Sequence, residues 1–514
     1  MNDRKSVAIK GSIFSSLEQI CTYILSFLTR RIIILSIGVD YLGLNSTLSQ
    51  ILGALSVTEL GIQSVIIYRL YKPVVECDRN KICELLSVIR TFYRIVATVI
   101  FLVALILLPF LKYLVKDITV PWNQIYIAWI LMAISTALSY IMNYNSVIIY
   151  ADRKQHIYQG IHLALSLIII SFNLILLYLL HNYYIFLVIN IINTIAGNLV
   201  LLILRHKLYP WIKFVKTKWS MISDVLRSAL DLFFGRLCAY IFNSTDSIVI
   251  SALISTSLVG FVGNYSTITM ALVYLVSSFC GPIQAIVGNM LVAENKNFLP
   301  GFIKDFSYTL YVIGSILTIP TALLLEDFVA FFYGKQYILG KEVVYLLIIY
   351  VYLCIIQSPT ASILDSDGQF KIQKYFYLVS SVINILLSVI GAMTLGVTGV
   401  LLGTIIGSFY LLICRIYYCY KVVVLDTKKE LTSYIMYLLK LSVIFVLNIF
   451  VLKIGFNKFF PETSLVLFFV KGLISIFAIL LMQTIFFRKT KEFRYMLELI
   501  GIKKIKFIFR NNKH

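Results

Sequence analysis

An all-α integral membrane protein of about fourteen transmembrane helices is the fold class that the sequence predicts, on three observations. The chain of 514 residues is 60% hydrophobic and 13% charged, with a mean hydropathy of +0.90; a soluble domain carries about 25% charge. Apolar runs of ~20 residues, the length that crosses a ~30 Å hydrocarbon core, follow one another from Ile13 to Phe487. The runs are continuous rather than alternating, which selects helices over a β-barrel.

The expected spans lie at 13–37, 42–68, 91–111, 122–149, 158–180, 184–204, 229–251, 258–282, 306–325, 343–363, 375–395, 397–418, 434–452 and 464–487. The stretch Lys81 to Ile89 reads as an interfacial helix ahead of the third span. Pro282, Pro320 and Pro359 fall in or near span ends and kink helices there, with Gly281-Pro282 as a hinge. Gly399, Gly403 and Gly407 repeat the Gly-x-x-x-Gly spacing, which in a membrane means close helix packing rather than phosphate binding. The longest segment between spans, 205–227, cannot hold a nucleotide-binding or catalytic domain, and the longest outer loop, 326–342, is short. Walker, HExxH and GxSxG motifs are absent from the sequence, so the chain is expected not to be an enzyme and to need no cofactor.

The net charge of +21 is distributed as a membrane protein's rather than a nucleic-acid binder's. With the N-terminus inside, 32 of the 45 Lys and Arg residues fall in inner segments, 6 in outer loops and 7 within spans. This positive-inside bias places both termini in the cytoplasm. The basic tail from Arg488 to Lys513 carries an apolar stripe of Phe493, Met496, Leu497 and Ile500 and is expected to rest on anionic lipid. The eight cysteines contain no CxxC and the five histidines form no cluster, so neither a disulfide framework nor a metal site is expected. The N-terminus lacks a small-residue cleavage site, and the first span is expected to be retained.

The sequence repeats itself. Residues 194–205 and 404–415 match at seven of twelve positions without a gap, including Thr194/Thr404, Gly197/Gly407 and Arg205/Arg415, and Asn173 is mirrored by Asn384. The offset approximates six spans. Six is even, so both copies keep one orientation: a parallel repeat of two six-helix lobes. The expected lobes are 1–218 and 219–425, followed by two additional helices in 426–487 and the basic cytoplasmic tail 488–514.

Charges inside spans cost ~2.5–3.5 kcal/mol each on insertion scales and therefore face a cavity or one another. They concentrate in the opening helices of the two lobes: Glu18, Arg30 and Arg31 in span one, Glu59 in span two, and Asp231, Arg236 and Asp246 in span seven. Helical spacing puts Ser15, Glu18, Thr22, Ser26 and Thr29 on one face, and Asn45, Ser49, Ser56, Glu59 and Gln63 on another. Arg30, Arg31 and Arg236 can grip a diphosphate, because a guanidinium is a planar, permanently charged donor. Glu59, Glu18, Asp231 and Asp246 are the candidates for ion coupling, since a buried carboxylate can bind and release a proton or sodium ion. The competing reading pairs these charges across helices as structural locks. Asn143, Asn145, Asn173 and Asn384 read as interhelical glue.

Against this background the chain resembles the polysaccharide-transporter branch of the multidrug/oligosaccharidyl-lipid/polysaccharide exporter superfamily, the Wzx-type oligosaccharide flippases. The resemblance covers roughly residues 1–425. It rests on Arg30-Arg31 through Gly38, Tyr41-Leu-Gly43-Leu-Asn45, Thr58-Glu59-Leu60-Gly61-Ile62, Leu70-Tyr71-Lys72-Pro73, Asn243-Ser-Thr-Asp246, Val259-Gly260 and Asn264-Tyr265. It implies two six-helix bundles around a cationic cavity, in the plasma (inner) membrane of a bacterium. It also implies alternating access that inverts an undecaprenyl-diphosphate-linked oligosaccharide, a polyprenyl-diphosphate cargo, for capsule, O-antigen or exopolysaccharide synthesis. Membrane lipid, a polymerase and other polysaccharide-assembly proteins are the partners so implied. Tyr41, Tyr144, Tyr240, Tyr265 and Tyr274 would then stack on sugar rings, with Asn45 lining the same cavity. The alternatives are a cation-coupled multidrug antiporter of the same superfamily and a lipid II flippase.

Overall fold

The computed structural model describes residues 21–56, 62–152, 154–216, 219–280, 287, 291, 298–425, 428–460 and 464–499, and their regular structure is helical. In chain order the helices are α1 (21–36), α2 (Val39–Ser56), α3 (Ile62–Val75), α4 (Arg79–Leu107), α5 (Trp122–Ile141), α6 (Tyr144–Ala151), α7 (Gln155–Leu180), α8 (Tyr183–Leu208), α9 (Trp219–Val249), α10 (Thr256–Ser278), α11 (Leu299–Phe332), α12 (Lys341–Ser366), α13 (Phe370–Leu395), α14 (Val397–Tyr418), α15 (Lys428–Phe459), α16 (Leu465–Phe487) and α17 (Lys491–Leu499). Twelve described helices are long and apolar enough to cross a membrane. The first two expected spans run partly outside the described residues.

Local chemistry sets several boundaries. Asp78 caps α4 by accepting from Lys81 N at 3.0 Å, Asn182 caps α8 through Tyr184 N and Ile185 N, and Ser464 caps α16 through Leu467 N at 3.2 Å. Each satisfies backbone donors that a helix start leaves unpaired. Helix α7 ends where His181 turns left-handed, at φ 51°, so two residues suffice to reverse the chain into α8.

Four expectations are corrected. Lys81–Ile89 is not a separate interfacial helix: α4 runs unbroken from Arg79, with Leu85, Leu86, Val88 and Ile89 buried, because no proline or glycine interrupts it. The span expected at 122–149 breaks at Met142–Asn143, where Asn145 Nδ2 donates to Met142 O and Ser146 Oγ to Asn143 O, both at 2.7 Å. Such side-chain bonds compete with the helical ladder. The outer loop expected at 326–342 is shortened, since α11 continues to Phe332. Finally, the apolar stripe of the tail packs on protein: Phe493 and Met496 in α17 are buried, with Phe493 6.4 Å from the Tyr308 ring on α11. Ile500 lies outside the described residues.

Two compact units make up the chain, Met1–Thr267 with Ser388–Val400, and Ile268–Leu387 with Leu401–His514. The first has a core of Leu70, Ile89, Tyr93, Val96, Val147, Ile148, Leu201 and Leu204. The second has a core that includes Leu272, Val276, Phe306, Leu310, Val351 and Ile355.

Both hairpins that carry the matching segments are bonded across by a buried asparagine. In α7–α8, Asn173 is buried and its Nδ2 donates to Phe186 O and Asn190 Oδ1, both at 3.1 Å. In α13–α14, the buried Asn384 accepts from Thr404 Oγ1 at 3.4 Å, and Ser380 Oγ donates to Gly407 O at 2.9 Å. Asn173 and Asn384 are thus the interhelical glue expected of them. Arg205 and Arg415, paired by the repeat, are both buried, at 5% and 6% exposure. The predicted close packing occurs at Gly399, where an added Cβ would sit 2.2 Å from Gly391 O.

Candidate functional site

The first unit carries a seam in which α10 lies along α1 and α2. Small residues make the approach possible. A Cβ on Gly43 would stand 2.1 Å from Thr256 O, and one on Gly260 would stand 3.0 Å from Val39 O. Into this seam projects Arg30. Its Nε donates to Asn264 Oδ1 and its Nη2 to Gly260 O, each at 2.9 Å. Asn264 is fully buried. Gly263 is required beside it: a Cβ there would lie 2.2 Å from Arg30 Nη2. A guanidinium is therefore held inside an apolar helix packing by two oxygen acceptors with one planar, forked geometry.

One end of the seam is clasped by Asp40, in the first turn of α2. Its carboxylate accepts from the Ser257 and Thr119 hydroxyls and from Thr119 N. Around it, Lys116 N donates to Thr256 Oγ1 at 3.0 Å, Thr256 N to Lys116 O at 2.9 Å, and Ser251 Oγ to Leu114 O at 2.7 Å. Burial pushes the Asp40 carboxyl up, but the hydrogen bonds from Ser257 and Thr119 outweigh it and hold the group below its ordinary value of 3.8. These bonds favour the charged form. Their contribution is therefore complete above that ordinary value and is lost as pH falls through the depressed one.

Asp40→Asn keeps the shape of the clasp but removes its charge and one acceptor oxygen. In a background stripped of the eight native cysteines, a cysteine at Val259, 2% exposed, should react several-fold faster with an impermeant maleimide once Asp40 is Asn. Equal rates would show that the clasp does not hold the seam.

The remaining sequence candidates distribute as follows. Tyr41 and Asn45 come together around Tyr183: Tyr183 OH donates to Asn45 Oδ1 at 3.1 Å, the Tyr41 and Tyr183 rings are 5.1 Å apart, and Tyr41 OH donates to Gln124 Oε1 at 2.6 Å. Arg31 is half-buried on α1 and Arg236 is exposed on α9. Asp246 follows Arg236 by ten residues, ~15 Å along the same helix. Asp231 lies in α9 with its side chain undescribed, and Glu18 and Glu59 lie outside the described residues. Tyr240 OH donates to Gln50 O at 2.8 Å and packs on Gly53. Tyr265 is fully buried, Tyr144 is buried, and Tyr274 is exposed. In this structure Tyr265 is a packing residue rather than an open platform for sugar.

Sequence reasoning missed Asp40, Ser257 and Thr119, and missed Asn264 as the partner of Arg30. Asp40 did carry one signal, an acid in the first turn of a helix. Asn264 stood in a motif of the resemblance but carried no sign of its partner, which is 234 residues away. No group of three His, Cys, Asp or Glu that could hold a metal occurs among the described residues.

Residues 8–287 match the family described as polysaccharide biosynthesis protein. No curated protein matches the sequence significantly. Among solved structures, a lipid II flippase MurJ in an inward closed conformation superposes with a TM-score of 0.67 at 16% identity, covering 93% of this chain and 99% of that one. An inward-facing multidrug resistance MATE family transporter of the MOP superfamily gives 0.63 at 12% identity, over 80% and 96%. The Vibrio cholerae MATE transporter VcmN in its bent form gives 0.52 at 14% identity, over 85% and 100%. At these identities the likeness is one of fold.

Proposed function

The chain belongs to the polysaccharide biosynthesis protein family, and on that premise we propose that it is a flippase. It carries an undecaprenyl-diphosphate-linked oligosaccharide from the inner to the outer leaflet of a bacterial plasma membrane, by alternating access. The observation that carries this reading is the Arg30 seam. A guanidinium inside a helix bundle is costly, and here its Nε and Nη2 are set on Asn264 Oδ1 and Gly260 O. Exchange of those acceptors for diphosphate oxygens would couple cargo binding to release of α10, since the guanidinium fork matches phosphate oxygens two at a time and an anionic acceptor adds direct Coulombic attraction. Arg31 and Arg236 extend the proposed anion path, and Asn45 and Tyr41 border it. Glu59, Glu18, Asp231 and Asp246 are the proposed ion-coupling groups. The six-helix lobes 1–218 and 219–425, with cytoplasmic termini and a polymerase as downstream partner, complete the proposal.

The test is reconstitution in liposomes with a fluorescent polyprenyl-diphosphate oligosaccharide, following its accessibility at each leaflet with and without an ion gradient. Protein-dependent inversion is the expected result. Uptake of a cationic dye without inversion would instead place the chain among multidrug antiporters.

A further inference from the structure

At the basic face of the first unit, the segment that follows α8 crosses the ends of α4, α6 and α8. Its aromatic side chains are each met by a cation. Lys154 Nζ lies 5.2 Å from the Tyr209 ring centroid, and the guanidinium carbon of Arg79 lies 5.3 Å from that of Trp211. Phe214 is met by two arginines, Arg90 at 4.2 Å and Arg205 at 5.4 Å. The segment is fixed as well through its backbone: Val215 N donates to Ser87 Oγ at 2.9 Å, and Tyr209 OH donates to Asp152 Oδ2 at 2.5 Å.

The Arg90–Arg205 pair is anomalous in its neutralisation. Arg205 is 5% exposed, and its one hydrogen bond is from Nη2 to His206 Nε2 at 2.8 Å. The Nε atoms of Arg90 and Arg205 are both buried and without a hydrogen-bond partner. Among the described residues neither arginine pairs with a carboxylate. Asp152, which accepts from Tyr209, is paired with Lys154 at 2.7 Å, and Glu84 on α4 is paired with Lys81 at 2.7 Å. Two like charges against one ring, one of them buried, are unfavourable unless an anion joins them. The repeat supplies an internal contrast. Arg415, the counterpart of Arg205, shares the unpartnered Nε but directs Nη1 to Gln357 Oε1 at 2.7 Å and Nη2 to Tyr377 OH at 2.8 Å. The second half thus provides its buried arginine with oxygen acceptors, where the first half provides a second arginine.

We propose that Arg90 and Arg205 form a binding site for the phosphate of an anionic phospholipid at the basic face of the membrane. The forked guanidinium geometry matches phosphate oxygens. The position, at the last turn of α8 where Arg205, His206 and Lys207 follow one another, is headgroup depth, where basic pockets between helices take such lipids. The site is separate from the Arg30 seam and does not depend on the flippase reading.

The test is equilibrium binding of tail-labelled phosphatidylglycerol to the purified full chain in neutral detergent. Wild type should bind it, and the phosphatidylcholine analogue should bind far more weakly. Arg90→Gln should weaken phosphatidylglycerol binding by roughly tenfold, the loss of one charge-assisted contact. Arg205→Lys, which keeps the charge and protects folding but loses the fork, should weaken it several-fold. Arg94→Gln, an exposed neighbour on α4, should leave it unchanged. Equal binding of both lipids, or undiminished binding by the Arg90→Gln/Arg205→Lys double variant with a wild-type melting temperature, would overturn the site. Displacement by millimolar inorganic phosphate would identify a free-phosphate site, and displacement by farnesyl diphosphate with no phosphatidylglycerol binding would identify a cargo-docking site. Either result would overturn the phospholipid assignment.

Discussion

Arg30→Ala should lower the initial rate of lipid-linked oligosaccharide inversion by about 100-fold, the cost of truncating one member of a buried, hydrogen-bonded charged contact. The expectation follows from geometry rather than from charge alone. Arg30 sets Nε and Nη2 on two acceptors that belong to successive turns of α10, Asn264 and Gly260. Alanine removes both donors and leaves the fully buried Asn264 side chain with an unmatched oxygen, which itself costs about 1–3 kcal/mol. Arg30→Lys should restore only part of the rate, because one ammonium cannot reproduce the fork. Asn264→Ala separates the roles. It loosens the seam but keeps the guanidinium, so it should reduce the rate less than Arg30→Ala if the arginine handles cargo. Equal losses in the two variants would leave Arg30 as a structural lock. Full activity in both Arg30→Ala and Arg236→Ala would remove the diphosphate-clamp idea altogether.

The second large effect should appear at Gly399, in folding rather than transport. Gly399 and Gly391 face each other backbone to backbone where α13 and α14 meet. A Cβ on either would stand 2.2 or 2.5 Å from the carbonyl oxygen of the other. No rotamer change relieves such a clash; the helices must separate. Overpacking a core costs ~1–3 kcal/mol when side chains can yield, and here the obstacle is main chain. Gly399→Leu should therefore abolish monodisperse protein in detergent, and Gly399→Ala should lower the melting temperature by several degrees. A wild-type melting temperature for Gly399→Ala would mean that the helices do not approach this closely. Leu395, one residue before the turn and 60% exposed, offers the matched control: Leu395→Ala should change little.

Much of the architecture is legible in the sequence because the signal is local. A run of ~20 apolar residues must be a helix in lipid, where each backbone group has to bond within its own segment. The positions of the later spans, the two hairpins of the repeat and the Gly399 contact all follow from patterns a few residues long. Where the local reading failed, a polar cluster competed with the ladder, as at Asn143 to Ser146, or tertiary packing claimed an amphipathic stripe, as at Phe493 and Met496.

What the sequence by itself determined is therefore the helices, their order and the presence of intramembrane charge. Tertiary structure alone decided which side of each helix faces protein. Hydropathy does not encode this in a membrane, since lipid tails are as apolar as a neighbouring leucine. Helix α12, with a mean hydropathy of 1.9 over its most apolar window, has 72% of that window buried; α16, at 2.7, has 17%. For the same reason Arg30 could be recognised as costly but not assigned to Asn264. Arg205 and Arg415 could be matched by the repeat but not distinguished. Their difference lies in neighbours brought from distant segments: Phe214 and Arg90 for one, Gln357 and Tyr377 for the other.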